Sequence, residues 1–497
     1  MRYLWSGRSA PLLTLAGAIL GCVLSTASPS WASGAGAPVV SAGPDQTITA
    51  RDSAFLRGTV SDDGLPGGLE DLRWSWTQVR GPAPVKFRQR GDLFGVARFS
   101  TPGTYTLRLT ASDRSLATHD DVVVNVLAAA TSVLRVPRDY ATIQAAVDAA
   151  PARALVLVAP GTYTETVSIA KTLTLASTSY TTGDKSLVER TVIQAPSPTA
   201  ETILISKTTG PETQVVGFKI TGGGRNGIKS SGLVKVIGNH VTGIATDGVE
   251  FTSEAAAGLV ERNVIESNLD DGIDVNFSQL VVSNNIVRAN RGDGVEYRFR
   301  NRLSSLGTVV FRGNDVSGNR HDGIQLIDQD TTAATATRVV VDRNVFATNG
   351  QAAIGLLDGA ESNEDYRSAS LLERVLVTNN TVAGNAYGIT GGDNMTVANN
   401  VFAKTANTAL KRVDGDSLAT YNLFWANGLA NDGSNVDGAH TVNAKPLLTS
   451  SYHPRSGSPA IDAGIASLTL ANGEVVVNIP SARFNGRAPD LGRYEAA

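Results

Sequence analysis

The sequence predicts an all-β protein in which a right-handed parallel β-helix, a solenoid of stacked coils, follows an Ig-like β-sandwich. Three observations predict this fold class. A short Gly-apolar motif recurs between residues 227 and 389, asparagines recur at the predicted bends, and the 497 residues include 50 Gly but only 6% aromatic residues. This composition favours many short strands and tight turns over packed helices.

Residues 1–32 have the pattern of a secretory signal peptide. Arginines precede an apolar run at 11–24, and small residues follow it. The pattern predicts an exported protein, secreted, periplasmic or at the cell surface, from which the leader is cleaved. Segment 18–22 also resembles a bacterial lipobox, so lipid attachment at Cys22 is an open alternative. No later stretch is long and apolar enough to span a bilayer.

The overall charge is nearly balanced, with 43 Lys and Arg against 46 Asp and Glu and a net charge of −3. Such a balance argues against nucleic acid or an anionic membrane surface as a partner. The only cysteine lies in the leader, so the rest of the chain can form no internal disulfide. We expect a monomer whose stability comes from stacked coils and whose partners are recognised by local sites.

Residues 38–127 are predicted to form the β-sandwich. Alternating strand patterns, for example at 73–79 and 104–112, lie between turn signals. Three segments resemble the PKD family of extracellular Ig-like modules, and this resemblance implies a spacer or adhesion role. These segments are 74–76 (Trp-Ser-Trp), 102–105 (Pro-Gly-Thr-Tyr) and 109–113 (Leu-Thr-Ala-Ser-Asp).

Residues 133–497 are predicted to form the β-helix together with caps at both of its ends. Apolar residues at helical spacing between 140 and 150, followed by Pro151, predict a short helix. A helix in this position resembles the opening of the pectin-lyase-like superfamily, in which it closes the first coil. The tail at 452–495 resembles the closing segment of exported β-helix proteins. We therefore expect it to cover the last coil and His453 to be structural.

A Gly-apolar step marks each coil, and asparagines mark its bends. The intervals between successive steps, from Gly227 to Gly388, are 21, 24, 22, 29, 30 and 35 residues. A unit of this size cannot bury its apolar face alone, so stacking in register is predicted. Asparagines at equivalent bends are expected to hydrogen-bond the coils above and below. The two predicted series are Asn239, Asn263, Asn285, Asn314, Asn344, Asn380, Asn400 and Asn422, and Asn268, Asn290, Asn319, Asn349, Asn385 and Asn427.

One strand of each coil is predicted to carry polar side chains on its outer face. In segment 272–276, strand alternation turns Ile273 and Val275 inward and Asp274 and Asn276 outward. Paired strands lie about 4.8 Å apart, so equivalent side chains of successive coils should stack. The predicted column consists of Lys229, Glu250, Asp274, Glu296 and Gln325.

Carboxylates crowd the turn before this strand. Asp247 and Glu250 lie in one coil, and Asp270, Asp271 and Asp274 lie in the next. Ca²⁺ takes oxygen ligands, and the strand spacing lets two coils share one ion. The arrangement resembles the calcium site of the family 9 polysaccharide lyases. This resemblance implies that Asp247, Asp270, Asp271 and Asp274 bind Ca²⁺.

The same resemblance implies a basic residue near the calcium, and here the sequence departs from the family. That family uses a lysine, whereas the outward basic residues nearby are Arg298, Arg300 and, on the other side, Lys229. In β-elimination a base removes the α-proton of a uronate. Arginine is a poor base because its pKa stays above about 12, although other β-helix pectate lyases use one. We interpret Arg298, Arg300 and Lys229 as candidate catalytic residues and Glu250, Asn276, Glu296 and Gln325 as candidate substrate contacts.

Longer insertions follow the same strand in three successive coils, at 301–307, 328–337 and 358–370. Loops that lengthen on one side of a solenoid usually build the walls of a binding face. We therefore expect a groove beside the carboxylate column.

The sequence leaves three functions open: a Ca²⁺-assisted polysaccharide lyase, a non-catalytic surface or glycan-binding β-helix, and a glycoside hydrolase or epimerase. The hydrolase alternative depends on a faint resemblance of Asp247, Asp270, Asp271 and Asp293 to the polygalacturonase arrangement. That family's histidine and Arg-Ile-Lys segment have no counterpart here. Asp293 and Asp322 are interpreted first as turn residues. The partner expected in every case is a polysaccharide, most simply an acidic one.

Overall fold

The computed structural model describes residues 36–50, 53–61, 72–88, 93–113, 115–128, 132–253, 256–299, 307–328, 337–358, 371–470, 473–479 and 481–496. The predicted leader, with Cys22, lies outside these ranges. Among the described residues, no helix has the length and apolar character that a membrane span requires.

The first domain is a β-sandwich, as predicted. Its strands are β1 Val39–Ser41, β2 Gln46–Thr49, β3 Ser53–Arg57, β4 Thr59–Ser61, β5 Arg73–Arg80, β6 Lys86–Arg88, β7 Phe94–Arg98, β8 Gly103–Ser112 and β9 Ala117–Leu127. One sheet has the order β2-β9-β8-β5 and the other β3-β7-β6, while β1 pairs with β4. Trp76, Tyr105 and Leu107 are fully buried in the core, because alternate residues of each strand face inward.

The rest of the chain winds into a parallel β-helix whose coils add strands to three long sheets of 12, 12 and 11 strands. The first sheet contains β10 Val133–Val136, β11 Leu155–Val158, β14 Thr174–Ser177, β17 Gln214–Val216, β20 Leu233–Ile237, β23 Ala257–Glu261, β26 Gln279–Ser283, β29 Gly307–Arg312, β32 Thr337–Asp342, β35 Arg374–Thr378, β38 Met395–Ala398 and β41 Leu418–Thr420. The second contains β12 Gly161–Thr164, β15 Thr191–Gln194, β18 Lys219–Thr221, β21 His240–Thr242, β24 Val264–Glu266, β27 Ile286–Arg288, β30 Asp315–Ser317, β33 Val345–Ala347, β36 Thr381–Ala383, β39 Val401–Ala403, β42 Leu423–Trp425 and β44 Val442–Asn443. The third contains β13 Val167–Ile169, β16 Ile203–Ile205, β19 Ile228–Ser230, β22 Val249–Phe251, β25 Ile273–Asn276, β28 Val295–Phe299, β31 Ile324–Asp328, β34 Ala352–Asp358, β37 Tyr387–Thr390, β40 Thr408–Lys411 and β43 Leu429–Asp432.

A short helix closes the first end of the solenoid, as the sequence predicts. Helix α1 spans Ile143–Ala149 and buries Ile143 and Val147 in the interior core. The Thr142 hydroxyl accepts a hydrogen bond from the backbone N–H of Ala145. The carboxylate of Glu165 accepts the N–H groups of Ile143 and its successor at 2.9 and 2.8 Å. These contacts satisfy N–H groups that the first turn of a helix leaves unpaired.

Asparagine ladders hold the coils in register, which confirms the predicted role of both series. The backbone N–H and Nδ2 of Asn263 donate to Oδ1 of Asn285, at 2.9 and 3.0 Å. Asn285 donates in the same way to Asn314, at 3.0 and 3.0 Å, and its Nδ2 also donates to the Val260 carbonyl. The ladder continues to Asn422. The second series forms an equivalent ladder from Asn268 to Asn385.

The residue before each asparagine of the first ladder has a left-handed backbone. Its φ lies between 51° and 66° in all eight positions. A side chain other than glycine costs roughly 1–2 kcal/mol in this region, so the hydrogen bonds of the ladder must offset that cost at most of these bends. The residues are Gly238, Arg262, Asn284, Gly313, Arg343, Asn379, Asn399 and Tyr421.

The C-terminal tail packs along the side of the solenoid. Ala460 and Leu491 form a cluster with the outward-facing Val401 and Leu423 of the second sheet. At the end of the interior core, the packed residue is Val436. This arrangement differs from the expectation that the tail covers the last coil. The outward side chains of the second sheet offered it apolar surface to bury.

A hairpin near the C-terminus connects the two domains. It consists of β45 Ser467–Thr469 and β46 Val475–Asn478. Val475 belongs to the core of the β-sandwich, whereas Val477 clusters with Leu259 and Val281 on the outer face of the first sheet. The β-sandwich is therefore attached to that face of the solenoid.

Removing one rung of the asparagine ladder should destabilise the protein. We expect Asn285→Ala to lower the free energy of unfolding by about 1–3 kcal/mol, because it leaves buried donors of the neighbouring coil without an acceptor. The measurement is chemical denaturation followed by circular dichroism. The control is Asn407→Ala, since Asn407 is exposed. A loss for Asn285→Ala no larger than that of the control would contradict the structural role of the ladder.

Candidate functional site

The third sheet carries the predicted column of polar side chains. Strand register pairs Lys229 with Glu250, Glu250 with Asp274, Asp274 with Glu296, and Glu296 with Gln325. The alternating neighbours belong to the interior core, so the column lies on the outer face, as strand alternation predicts. It is nevertheless well covered, since Asp274 and Glu296 are only 9% and 8% exposed and Gln325 is buried.

Two basic side chains neutralise part of this column. The Lys229 ammonium donates to Oε2 of Glu250 at 2.6 Å, and Asn226 donates to the same oxygen at 2.5 Å. Arg298 donates to Oδ1 of Asp274 at 2.8 Å and forms an ion pair with Glu296. The side chains predicted as bases are thus engaged by carboxylates of the column.

Asn276 belongs to the same internal network. Its Nδ2 donates to Oδ2 of Asp274 at 2.9 Å, and its Oδ1 accepts from Arg298 at 3.2 Å. These bonds hold the Arg298 guanidinium in place beside two carboxylates. The remaining predicted base, Arg300, lies outside the described residues, as do most of the three insertions expected to wall the site.

A ladder of aspartates runs beside the column, one residue before each Gly-apolar step. Oδ1 of Asp247 accepts the backbone N–H of Asp271 at 3.2 Å, and Oδ1 of Asp271 accepts that of Asp293 at 2.6 Å. Asp293 accepts the N–H of Asp322 at 2.6 Å, and Asp322 accepts that of Ala352 at 2.5 Å. The predicted turn role of Asp293 and Asp322 is therefore observed, together with a bond between coils that the turn interpretation did not include.

A glycine leaves room for this ladder. A β-carbon at Gly292 would strike Oδ1 of Asp271. The residue between the coils at this point must therefore lack a side chain for Asp271 to accept the N–H of Asp293.

Three carboxylates converge where the column begins. Ligand oxygens of Asp247, Asp270 and Asp271 lie within 4.8 Å of one another. Asp271 is buried, Asp247 is partly buried and Asp270 is exposed, so the group reaches solvent through Asp270. We call these three residues the aspartate cluster. An all-oxygen donor set at this spacing fits Ca²⁺.

A second group shares Asp271 with the aspartate cluster. Its ligand oxygens, from Asp271, Asp293 and Glu296, also lie within 4.8 Å of one another, and all three residues are buried. The resemblance implied Asp274 as a ligand, but Asp274 lies in neither group and is bound by Arg298 and its neighbour Asn276. Sequence reasoning missed the metal-ligand geometry of Asp293 and Glu296. The equal intervals between the aspartates and the Gly-apolar steps were the available signal.

Burial and mutual repulsion disfavour the ionised form of these carboxyl groups. Burial, followed by the charges of Asp271 and Asp274, raises the pKa of Asp247 to about 8. Burial also raises the pKa of Glu296 to about 8, although Arg298 opposes this shift. The pKa of Asp271 is raised well above its usual range by burial and by Glu296. At neutral pH the site therefore favours a bound proton or a bound cation.

Arg298 responds in the opposite direction. Burial would lower its pKa, but Glu296 and Asp274 raise the pKa of Arg298 above its ordinary value. A guanidinium whose charged form is favoured in this way is poorly suited to remove a proton. Its contacts suit it to hold carboxylates in place.

Comparison with known families assigns two regions of the chain. Residues 227–402 match the family described as "Right handed beta helix region", and residues 42–126 match a PKD domain family. The chain thus contains a right-handed parallel β-helix and an N-terminal PKD domain, as the sequence predicts.

Several solved structures resemble the chain. The pectate lyase Pel9A is 15% identical with a TM-score of 0.45, and the match covers 74% of this chain and 97% of that one. The family 28 exopolygalacturonase of Yersinia enterocolitica is 13% identical with a TM-score of 0.37, covering 82% and 98%. The A-module of the mannuronan C-5 epimerase AlgE6 of Azotobacter vinelandii is 17% identical with a TM-score of 0.34, covering 61% and 94%. Similarity at this level carries no statement about the chemistry of the present chain.

The raised carboxyl pKa values predict how stability depends on pH. Because the folded carboxyl groups of Asp247 and Glu296 keep a proton up to about pH 8, whereas unfolded ones release it near pH 4, the folded state binds more protons between these values. Its stability is then highest at low pH and is lost as the pH rises towards 8. With EDTA present, we expect the melting temperature to fall between pH 5 and 8, by on the order of 2 °C or more. Calorimetric scans at each pH measure this change.

Excess Ca²⁺ should reduce this fall, since bound ligands are already ionised. Asp271→Asn should make the response to Ca²⁺ smaller and provides the comparison. An identical pH dependence with EDTA and with Ca²⁺ would be evidence against a cation at these carboxylates.

Proposed function

We propose that this protein binds an acidic polysaccharide at the third sheet of its β-helix, through a Ca²⁺ ion held by Asp247, Asp270 and Asp271. The observation that supports the proposal is the convergence of these three carboxylates within 4.8 Å, with one of them exposed. Carboxylates at this spacing repel one another unless a cation or protons compensate.

The donor set accounts for the specificity of the proposed ion. Ca²⁺ takes six to eight oxygen ligands, more than three aspartates supply even when some of them bind through both oxygens. The remaining positions would be filled by water and by oxygens of the ligand. A uronate carboxylate is the kind of group that could join such a shell, because it brings both an oxygen donor and a negative charge.

The charges around the aspartate cluster explain why the ion would be required. Glu250, Asp274 and Glu296 add further carboxylates to the face, and Lys229 and Arg298 are both already paired with them. A polyanion approaching this face without a cation would be repelled. Bound Ca²⁺ would neutralise the carboxylate of a bound uronate and make its α-proton more acidic.

The side chains themselves favour binding over catalysis by a base. Lys229 is bonded to Glu250, and the neighbours of Arg298 favour its charged form. Both residues orient the carboxylates of the column and leave its net charge negative. Uronate β-elimination is the second candidate function, because the two cations flank the aspartate cluster in the column where a base would be needed.

A binding assay tests the proposal. We expect wild-type protein to be retained on immobilised polygalacturonate or alginate when Ca²⁺ is present and to be released by EDTA. Asp270→Asn should weaken Ca²⁺-dependent binding at least roughly tenfold, equivalent to about 1.4 kcal/mol, since it removes one charged ligand. Asp270 is exposed, so this change should leave folding intact.

The matched control is Asp432→Asn, an exposed aspartate at the end of β43 in the same sheet. It should bind like the wild type. Ultraviolet absorbance of unsaturated uronates in the same samples separates the candidates: its rise would indicate β-elimination, and binding without it would indicate a binder. Binding that is independent of Ca²⁺, or equally strong in Asp270→Asn, would refute the proposed site.

A further inference from the structure

A cavity of 240 Å³ lies between the β-sandwich and the outer face of the first parallel sheet. Leu56 and Val96 line it from the sandwich, and Val281 and Val310 line it from the parallel sheet. The aspartate cluster belongs to coils of the third sheet, so this cavity is a separate place in the molecule. Its apolar walls provide a water-poor environment in which charges interact strongly.

Arginines from three parts of the chain line the same cavity. They are Arg57 of the sandwich, Arg312 and Arg343 of the solenoid, and Arg493 of the C-terminal tail.

Two of these arginines share one acid. Asp342 lies 3.0 Å from Nε of Arg312 and 3.6 Å from Nη1 of Arg343. Burial alone would raise the pKa of Asp342, but Arg343 and Arg312 lower it below its usual range. One ionised aspartate between two guanidinium groups leaves this wall of the cavity positively charged.

The other two arginines add charge without an acid partner. Arg493 donates to the backbone carbonyls of Gly313 and Asn314 at 2.8 and 3.1 Å, which orients its guanidinium but does not neutralise it. Among the described residues, no carboxylate lies within ion-pair distance of Arg57, and burial lowers the pKa of Arg57. Glu261 also lines the cavity, but it is paired with Arg262 at 3.0 Å.

An uncompensated buried charge is unfavourable, and an anion would remove the cost. We propose that this cavity binds a sugar unit carrying a carboxylate or sulfate group, with Arg57 and Arg493 as its principal contacts. Guanidinium groups match the planar, two-oxygen geometry of such anions. The apolar walls would cover the C–H face of a sugar ring, which a free inorganic anion lacks. The choice of a sugar rests on the proposed polysaccharide function.

Calorimetric titration of the full chain tests this inference, with EDTA in every sample so that Ca²⁺ binding cannot contribute. The probes are digalacturonate, the neutral galactose disaccharide and sodium sulfate. We expect digalacturonate to bind at least roughly tenfold more tightly than the neutral disaccharide, since only the acid can pair with the arginines. Inorganic sulfate should bind more weakly than digalacturonate, because it cannot cover the apolar walls.

Arg57→Gln should weaken digalacturonate binding at least roughly tenfold. Arg493→Gln, on the opposite side of the cavity, is a second variant in case the first disturbs domain packing, and melting temperatures show which variants remain folded. Arg138→Gln is the matched control, because Arg138 is exposed in the turn before α1. It should bind like the wild type.

Three results would overturn the inference. These are no digalacturonate binding by the wild type in EDTA, equal affinity for the neutral disaccharide, or wild-type affinity in folded variants of both arginines. Binding of sulfate without digalacturonate would also reject a sugar site and leave a site for free anions. Because Ca²⁺ is absent throughout, failure of the aspartate cluster to bind the ion would not change these titrations. Asp270→Asn should bind digalacturonate like the wild type here.

Discussion

The parallel register between coils is the constraint on which the rest of this structure depends. Each strand of the third sheet pairs residue for residue with the strand one coil away, at a separation of about 4.8 Å. Whatever side chain occupies an outward position must therefore contact its equivalents above and below. For asparagine this contact is favourable, since one amide can donate and accept along the stack. For carboxylates the same contact is repulsive.

The repulsion can be compared with what opposes it. Two unit charges about 5 Å apart repel by roughly 0.8 kcal/mol in water and about 3 kcal/mol at an effective dielectric constant of 20. Lys229 and Arg298 offset part of this energy, and the backbone N–H groups that donate to Asp247 and Asp271 offset more. The remainder is visible in the raised pKa of Asp247 and Glu296. The asparagine ladders keep the coils in register despite this local cost.

Periodicity explains both what the sequence could predict and what it could not. The intervals between Gly-apolar steps were sufficient to predict the ladder from Asn263 to Asn285 and the outward column, because both follow from stacking alone. They could not predict that Asp274 and Glu296 would be nearly buried, since alternation gives the direction of a side chain and not its covering. The partners of Arg298 depend on rotamers across two coils. The arginine-lined cavity depends on how the sandwich docks against the first sheet, which no local pattern encodes.

The two proposed sites would recognise the same class of ligand by different physics. The aspartate cluster would require an ion, and its affinity would fall in acid as Asp247 and Asp271 take up protons in competition with Ca²⁺. The arginine-lined cavity would need no ion, and a guanidinium keeps its charge throughout the physiological pH range. An acidic polysaccharide could therefore be retained at one face when calcium or pH weakens its hold at the other. A solenoid makes this combination possible because its sheets share one core, while their outer faces carry independent sequences.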